Sequence, residues 1–303
     1  MMDETLVNEF AELFHGRLDV YGTEEGGCLR VTDSSWDNYV KTIATHLYSE
    51  TSTGTYPMVE MDGDWFVRWG CVDFDEGDEP SYIHAMNLHT VLGHFGVAAW
   101  LEKSRSKGWH CWVFASEWVP ASTMRKALLG ATETAKAPLK EINPKQETMT
   151  TGQVGNYVRL PYPHGWESTL RRCVIDPETS EVLPPAVFAS IALQTRSTIS
   201  MIEEVMALWK SPPKLKPRPM QYDASPVQTG NIGPLSKHIL RSGPKNGNDR
   251  STTLWALANS LHRDGVTYQE ALDVIYEADR RWGKFLARDD SKTLDNMCSK
   301  LWG

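Results

Sequence analysis

The feature that most constrains the fold is a hairpin signature running directly into a pair of acids. Met58-Val59-Glu60 and Trp65-Phe66-Val67-Arg68-Trp69 flank Asp62-Gly63-Asp64, where the glycine supplies the positive φ of a tight turn. The second arm continues as Gly70-Cys71-Val72-Asp73-Phe74-Asp75. Side chains alternate along a strand, so Asp73 and Asp75 project from one side while Val72 and Phe74 face a core. Two adjacent carboxylates repel unless a cation lies between them, and all-oxygen ligands suit Mg²⁺ or Mn²⁺. By itself an Asp-x-Asp is more often a strand running out into an acidic turn, here Asp75-Glu76-Gly77-Asp78-Glu79. The rest of the chain has to decide between the two.

At 303 residues, 41% of them hydrophobic and 23% charged, the chain is long enough for one large or two smaller globular domains. It contains no run of about 18 apolar residues, so no membrane span is expected. Met1-Met2-Asp3-Glu4 lacks a signal peptide's basic start, and a cytoplasmic location follows as the expectation. The five cysteines (Cys28, Cys71, Cys111, Cys173, Cys298) are too scattered for a zinc finger or a disulfide framework. A net charge of -8 excludes bulk, charge-driven nucleic-acid binding, so any such site must be a local basic patch.

Helical spacing of apolar residues predicts helices over about 3–15, 34–50, 81–103, 121–136 and 185–209. His84, His89 and His94 recur every five residues, do not share a helical face, and read as structural or solvent-facing. Ser104-Arg105-Ser106-Lys107-Gly108-Trp109-His110 is a polar turn leading into the β-rich run Cys111–Phe114. Such a turn can hold phosphates through main-chain N–H groups and one ammonium, although Lys-Gly turns are common on surfaces. A loop from Asn143 to Gly155 precedes a strand over 156–163, with Arg159 on the face opposite Val158 and Leu160. Cys173-Val174-Ile175-Asp176 is another short strand ending in an acid. Residues 211–234, rich in Pro and locally basic, read as a linker between a domain over 1–210 and a helical module over 235–303. In that module Asn248-Asp249 is read as a helix cap, and Thr267-Tyr268-Gln269-Glu270 has the form of a capping box.

Three signals now stand in order: Asp-x-Asp on a strand, a Ser-rich Lys-Gly-x-His turn, and an acid ahead of a Gly-Asn-x-x-Arg strand. This order resembles the archaeo-eukaryotic primase superfamily, closest to the primase-polymerases of phages, plasmids and bacterial conflict systems. Asp73 and Asp75 match its acid-x-acid motif, and Ser104-x-x-Lys107-Gly108-x-His110 matches its second motif. The third acid is Glu147, after Pro144-Lys145-Gln146, or alternatively Asp176. Gly247-Asn248-x-Arg250, Thr253-Leu254-Trp255, Glu270-Ala271-Leu272 and Trp282 resemble the helical domain that follows primase cores.

The resemblance implies an α+β fold: a catalytic core of an α/β unit joined to an RRM-like sheet, followed by a small all-helical domain. It implies two-metal nucleotidyl transfer with Mg²⁺ or Mn²⁺ held by Asp73, Asp75 and Glu147 (or Asp176). Ser104, Ser106, Lys107, His110 and Arg159 would bind the nucleoside triphosphate, and single-stranded DNA would be the template. A helicase, where one is needed, would lie outside this sequence, which has no Gly-x-x-x-x-Gly-Lys-Ser/Thr motif. Three rival readings stay open at this point: a non-catalytic replication-initiation protein that binds DNA, a repair polymerase that extends without priming, and a metal nuclease.

Overall fold

The computed structural model describes residues 2–139, 141–150, 152–210, 232–244, 250–286 and 290–302. The chain separates into two compact units, Met1–Lys214 and Leu215–Gly303.

In the first unit the predicted hairpin forms as β4 (Val59–Met61) and β5 (Asp64–Phe74), with Asp62 and Gly63 both at positive φ in the turn. β5 pairs along its length with β7 (Trp109–Pro120), and β7 pairs in turn with β6 (Ala99–Lys103). With β10 (Cys173–Ile175) at one edge and β8 (Glu141–Asn143) also on β5, these strands make a six-stranded antiparallel sheet. A second antiparallel sheet has the order β2-β1-β3-β9, from β1 (Val20–Thr23), β2 (Cys28–Arg30), β3 (Thr53–Thr55) and β9 (Val158–Arg159). Together with the helices this is a mixed α+β architecture.

Both faces of the larger sheet are covered, which explains why β5 and β7 read as nearly unbroken apolar runs. On one face Val72, Phe74, Cys111 and Val113 pack against Leu88 and Leu92 of α3 (Asp78–Gly93). Met124 and Leu128 of α4 (Ala121–Thr134), and Ile202 and Val205 of α6 (Ile199–Met206), complete that core. On the other face Trp69, Cys71, Trp112 and Phe114 pack against Phe10 and Phe14 of α1 (Glu4–Leu13). Tyr39 and Ile43 of α2 (Trp36–Tyr48), and Phe188 of α5 (Pro185–Gln194), close that second core. A β-bulge between Val67 and Trp69 shifts the alternation, so Val67 joins the first core while Trp69 and Cys71 join the second. Every odd-numbered residue of β5 after the bulge therefore faces the second core, and Asp73 lies on that face.

Several boundaries differ from the expectation. The helix read over 81–103 ends at Gly93, and Ala99–Lys103 is strand β6. The chain turns through His94-Phe95-Gly96, after which Leu101 and Glu102 alternate between the two faces as a strand requires. The helix read over 185–209 is two, because Ser197 leaves the helical path to bridge Ala115 and Thr198 caps α6. The strand read over 156–163 contracts to Val158–Arg159.

In the second unit α8 (Arg250–Arg263), α9 (Tyr268–Trp282) and α10 (Ser291–Trp302) enclose Leu254, Leu257, Ile275, Leu294 and Cys298. The capping box forms, with Thr267 and Glu270 exchanging hydrogen bonds at the start of α9. A further helix, α7 (Pro234–Ser242), is tied down by Ser236, whose hydroxyl donates to Asp264 at 2.6 Å. The predicted linker lies almost wholly outside the described residues, as does the predicted cap at Asn248-Asp249. Among the described residues no helix is long and apolar enough to cross a membrane.

Candidate active site

Register places four polar residues in one row across the larger sheet. His110 on β7 is the partner of Glu102 on β6 and of Asp73 on β5, and Asp73 is the partner of Glu141 on β8. Residues directly opposite in antiparallel strands share a face, so all four stand on the side of the second core, where that core gives way to polar groups. They open into a cavity of about 270 Å³ lined also by Asp75, Ser104, Arg105, Ser106, Asn143, Lys145, Tyr157, Arg159 and Arg172.

Glu102 is fully buried, and its Oε2 accepts from Trp112 Nε1 at 2.7 Å. The same oxygen lies 2.8 Å from His110 Nδ1, while His110 Nε2 lies 3.6 Å from Asp73 Oδ1, an ion pair longer than a hydrogen bond. Burial alone would lower the His110 pKa, but the charge of Glu102, with further help from Asp73, lifts it to about 10. The ring is therefore a fixed cation at neutral pH. Burial pushes the Asp73 carboxyl upward, but His110 and then Lys145 outweigh it and hold the pKa below the usual carboxylate range.

The turn that carries the second motif is closed by its own backbone. Ser104 N–H donates to Gly108 O at 3.0 Å, and Gly108 N–H donates to Ser104 Oγ at 3.1 Å. Ser104 and Ser106 reach the cavity; Lys107 is exposed and is not among its lining residues. Arg159 does reach it, from β9 in the other sheet, and its Nε is buried without a hydrogen-bond partner among the described residues. Tyr157 beside it seats its ring on Gly22 and Gly54, neighbours in the register of β1 and β3. A Cβ at Gly22 would come within 2.1 Å of that ring.

Neither proposed third acid lies in the cavity wall. Glu147 is exposed and pairs with Lys126 of α4 at 3.5 Å. Asp176 accepts from the Glu178 and Thr179 N–H groups, forming the turn after β10. The acid on the wall is Glu141, brought there because β8 pairs with β5 and sets it opposite Asp73. Glu24, Glu102, Arg105, Glu141 and Arg172 were not picked out from the sequence. Local signal existed for two of them: the short alternating run at 99–103 for Glu102, and the polar turn after Ser104 for Arg105.

The family model for the archaeo-eukaryotic primase domain of TOTE conflict systems matches residues 24–194. The chain belongs to the archaeo-eukaryotic primase family. No match was found among curated proteins. The matched span takes in the whole cavity wall of this primase domain, from Glu24 beside it to Arg172, and makes a nucleotidyltransferase-type role the coarse assignment.

Domains of this family are typically dependent on a divalent metal. The donors here suit one: Asp73, Asp75 and Glu141 offer carboxylate oxygens to the cavity. Asn143 Oδ1 on the same wall is buried with no hydrogen-bond partner among the described residues. An all-oxygen set of this kind fits Mg²⁺ or Mn²⁺ and not a soft metal. Among the described residues these groups are not drawn into a three-membered ligating cluster.

Proposed function

We propose that the chain is a DNA-dependent primase-polymerase, making and extending primers on a single-stranded template from nucleoside triphosphates. One observation carries the reading: the strand end with Asp73 and Asp75, the Ser104–His110 turn and Arg159 all open into one cavity. These elements are far apart in sequence and come from two different sheets, and together they join acidic and cationic groups in the way phosphoryl chemistry needs.

In the reaction a 3′-hydroxyl releases its proton to solvent, its oxygen bonds to the α-phosphorus, and the bond from that phosphorus to pyrophosphate breaks. Mg²⁺ or Mn²⁺, when bound, would stabilise negative charge on the attacking and leaving oxygens. Asp73, Asp75 and Glu141 would hold it, with Glu141 taking the place first given to Glu147. Arg159 and the hydroxyls of Ser104 and Ser106 would bind the triphosphate, with His110 contributing a fixed positive charge. His110 holds that charge because Glu102 is buried against it, so it serves as an electrostatic anchor and not as a proton shuttle near neutral pH.

The test is product formation from labelled nucleotides on single-stranded DNA with Mn²⁺, with and without a supplied primer. Dinucleotides made without a primer support priming. Growth only from a primer would indicate an extending polymerase, and template binding without product would indicate the non-catalytic class.

A further inference from the structure

Three arginines on the cavity wall come from three separate segments: Arg105 from the turn before β7, Arg159 from β9, and Arg172 from the approach to β10. All three converge on Glu24 at the tip of the β1–β2 hairpin. Arg105 Nη1 donates to Glu24 Oε1 at 2.8 Å, and Arg172 Nη1 donates to Glu24 Oε2 at 2.9 Å. Arg159 Nη2 donates to the Glu24 main-chain oxygen, also at 2.8 Å. Arg172 is anchored further by donating to Ser52 Oγ at 2.7 Å and to Leu160 O at 3.0 Å. Glu24 itself is not part of the cavity lining.

We propose that Glu24 is a positioning residue that gathers Arg105, Arg159 and Arg172 into one polyphosphate-binding wall. The inference rests on the proposed function for the identity of the ligand as the triphosphate of a nucleotide. Three guanidinium groups on one wall repel one another, and a single carboxylate with each oxygen given to a different arginine offsets that repulsion. Each arginine carries five N–H donors; Arg105 and Arg159 each spend one of them on Glu24, which leaves a planar fork that matches phosphate oxygens, while Arg172 spends three and keeps its Nε–H and one Nη1–H. The unpartnered Nε of Arg159 is one such donor.

Charge and positioning make opposite forecasts for Glu24→Gln. Removing a negative charge beside three arginines should tighten anion binding if net charge alone mattered. The positioning role forecasts weaker binding. The probe is inorganic tripolyphosphate, titrated calorimetrically into the full chain in the presence of a chelator, so that neither metal nor chemistry contributes. The wild type should bind, and Glu24→Gln should bind about tenfold more weakly, the loss expected for one charge-assisted hydrogen bond. Arg105→Ala, at a mostly exposed side chain whose loss leaves the fold in place, should weaken binding by a similar factor. The double variant should be no weaker than the product of the two single losses, and short of it.

With nucleotide as substrate, Glu24→Gln should raise KM about tenfold while leaving kcat within about threefold. Unchanged or tighter tripolyphosphate binding in Glu24→Gln, or unchanged binding in Arg105→Ala, overturns the inference. Tripolyphosphate binding that weakens as forecast in a protein that makes no polymer would leave this wall standing and sink the polymerase reading. Polymer synthesis with an unaltered KM in Glu24→Gln would do the reverse.

Discussion

The Nδ1 of His110 lies 2.8 Å from the Oε2 of Glu102, a carboxylate with almost no exposed surface. That contact keeps the histidine protonated at neutral pH next to Asp73. Burial works against the charge, and Glu102 outweighs it. Because the folded pKa of about 10 lies above the ordinary value of 6.5, the stabilisation is complete below pH 6.5 and is lost as pH rises through 10.

Glu102→Gln keeps the shape and removes the charge. The His110 titration, followed by imidazole NMR in chelator, should move down by more than about one unit, and stability at pH 7 should fall by about 1–3 kcal/mol. The loss of stability between pH 6.5 and 10 seen in the wild type should shrink in the variant.

A second pH effect has the opposite sign. His46 is buried, accepts from Thr53 N–H at Nδ1, and pairs through Nε2 with Pro161 O at 2.8 Å. Burial holds its pKa down to about 4, so its contribution is present above pH 6.5 and is lost as pH falls towards 4. Acidification from pH 6.5 to 4 should remove about 3 kcal/mol of stability through this residue. His46→Gln, whose amide can both accept and donate, should flatten the stability curve between pH 6.5 and 4 in denaturant titrations.

Gly22→Ala tests the seat of Tyr157. The new methyl would strike the stem of the tyrosine ring and not a flexible tip, so the ring must move. Overpacking of this kind costs about 1–3 kcal/mol. The thermal midpoint should drop accordingly, and the nucleotide KM should rise because Arg159 stacks over the same ring at 5.8 Å.

How much of this was legible in the sequence follows from how local each feature is. Asp73 and Asp75 could be read because strand alternation sets them two residues apart on one face, and His110 because it follows the polar Ser104–Gly108 turn. Glu102 is hidden in the sequence because the apolar spacing of α3 runs on into Ala98, Ala99 and Leu101, past the break at His94-Phe95-Gly96. Glu141 stands on a three-residue strand whose only reason to extend is its partner β5. The contact of Arg172 with Glu24 spans 148 positions, and no local pattern announces it. The core under Val72 and Phe74 was readable from strand alternation, and the second core on the opposite face was not. Neither was the bulge that sorts Val67 from Trp69.

Glu141 and Glu147 can be told apart directly. Glu147→Ala breaks an exposed pair with Lys126 and should leave synthesis within about twofold, since such pairs contribute little. Glu141→Ala should lower kcat about a hundredfold, the scale of losing one group that stabilises transition-state charge. Equal effects of the two would return Glu147 to the site.

The central claim is that the cavity at the end of β5 copies a template. The most direct measurement compares the wild type with Asp75→Asn, whose side chain is exposed and whose loss the fold should tolerate. Both are incubated with labelled nucleotides, single-stranded DNA and Mn²⁺, and template-complementary products are resolved on a gel. The account predicts product from the wild type and none from the variant at equal thermal stability. Undiminished synthesis by Asp75→Asn would contradict it.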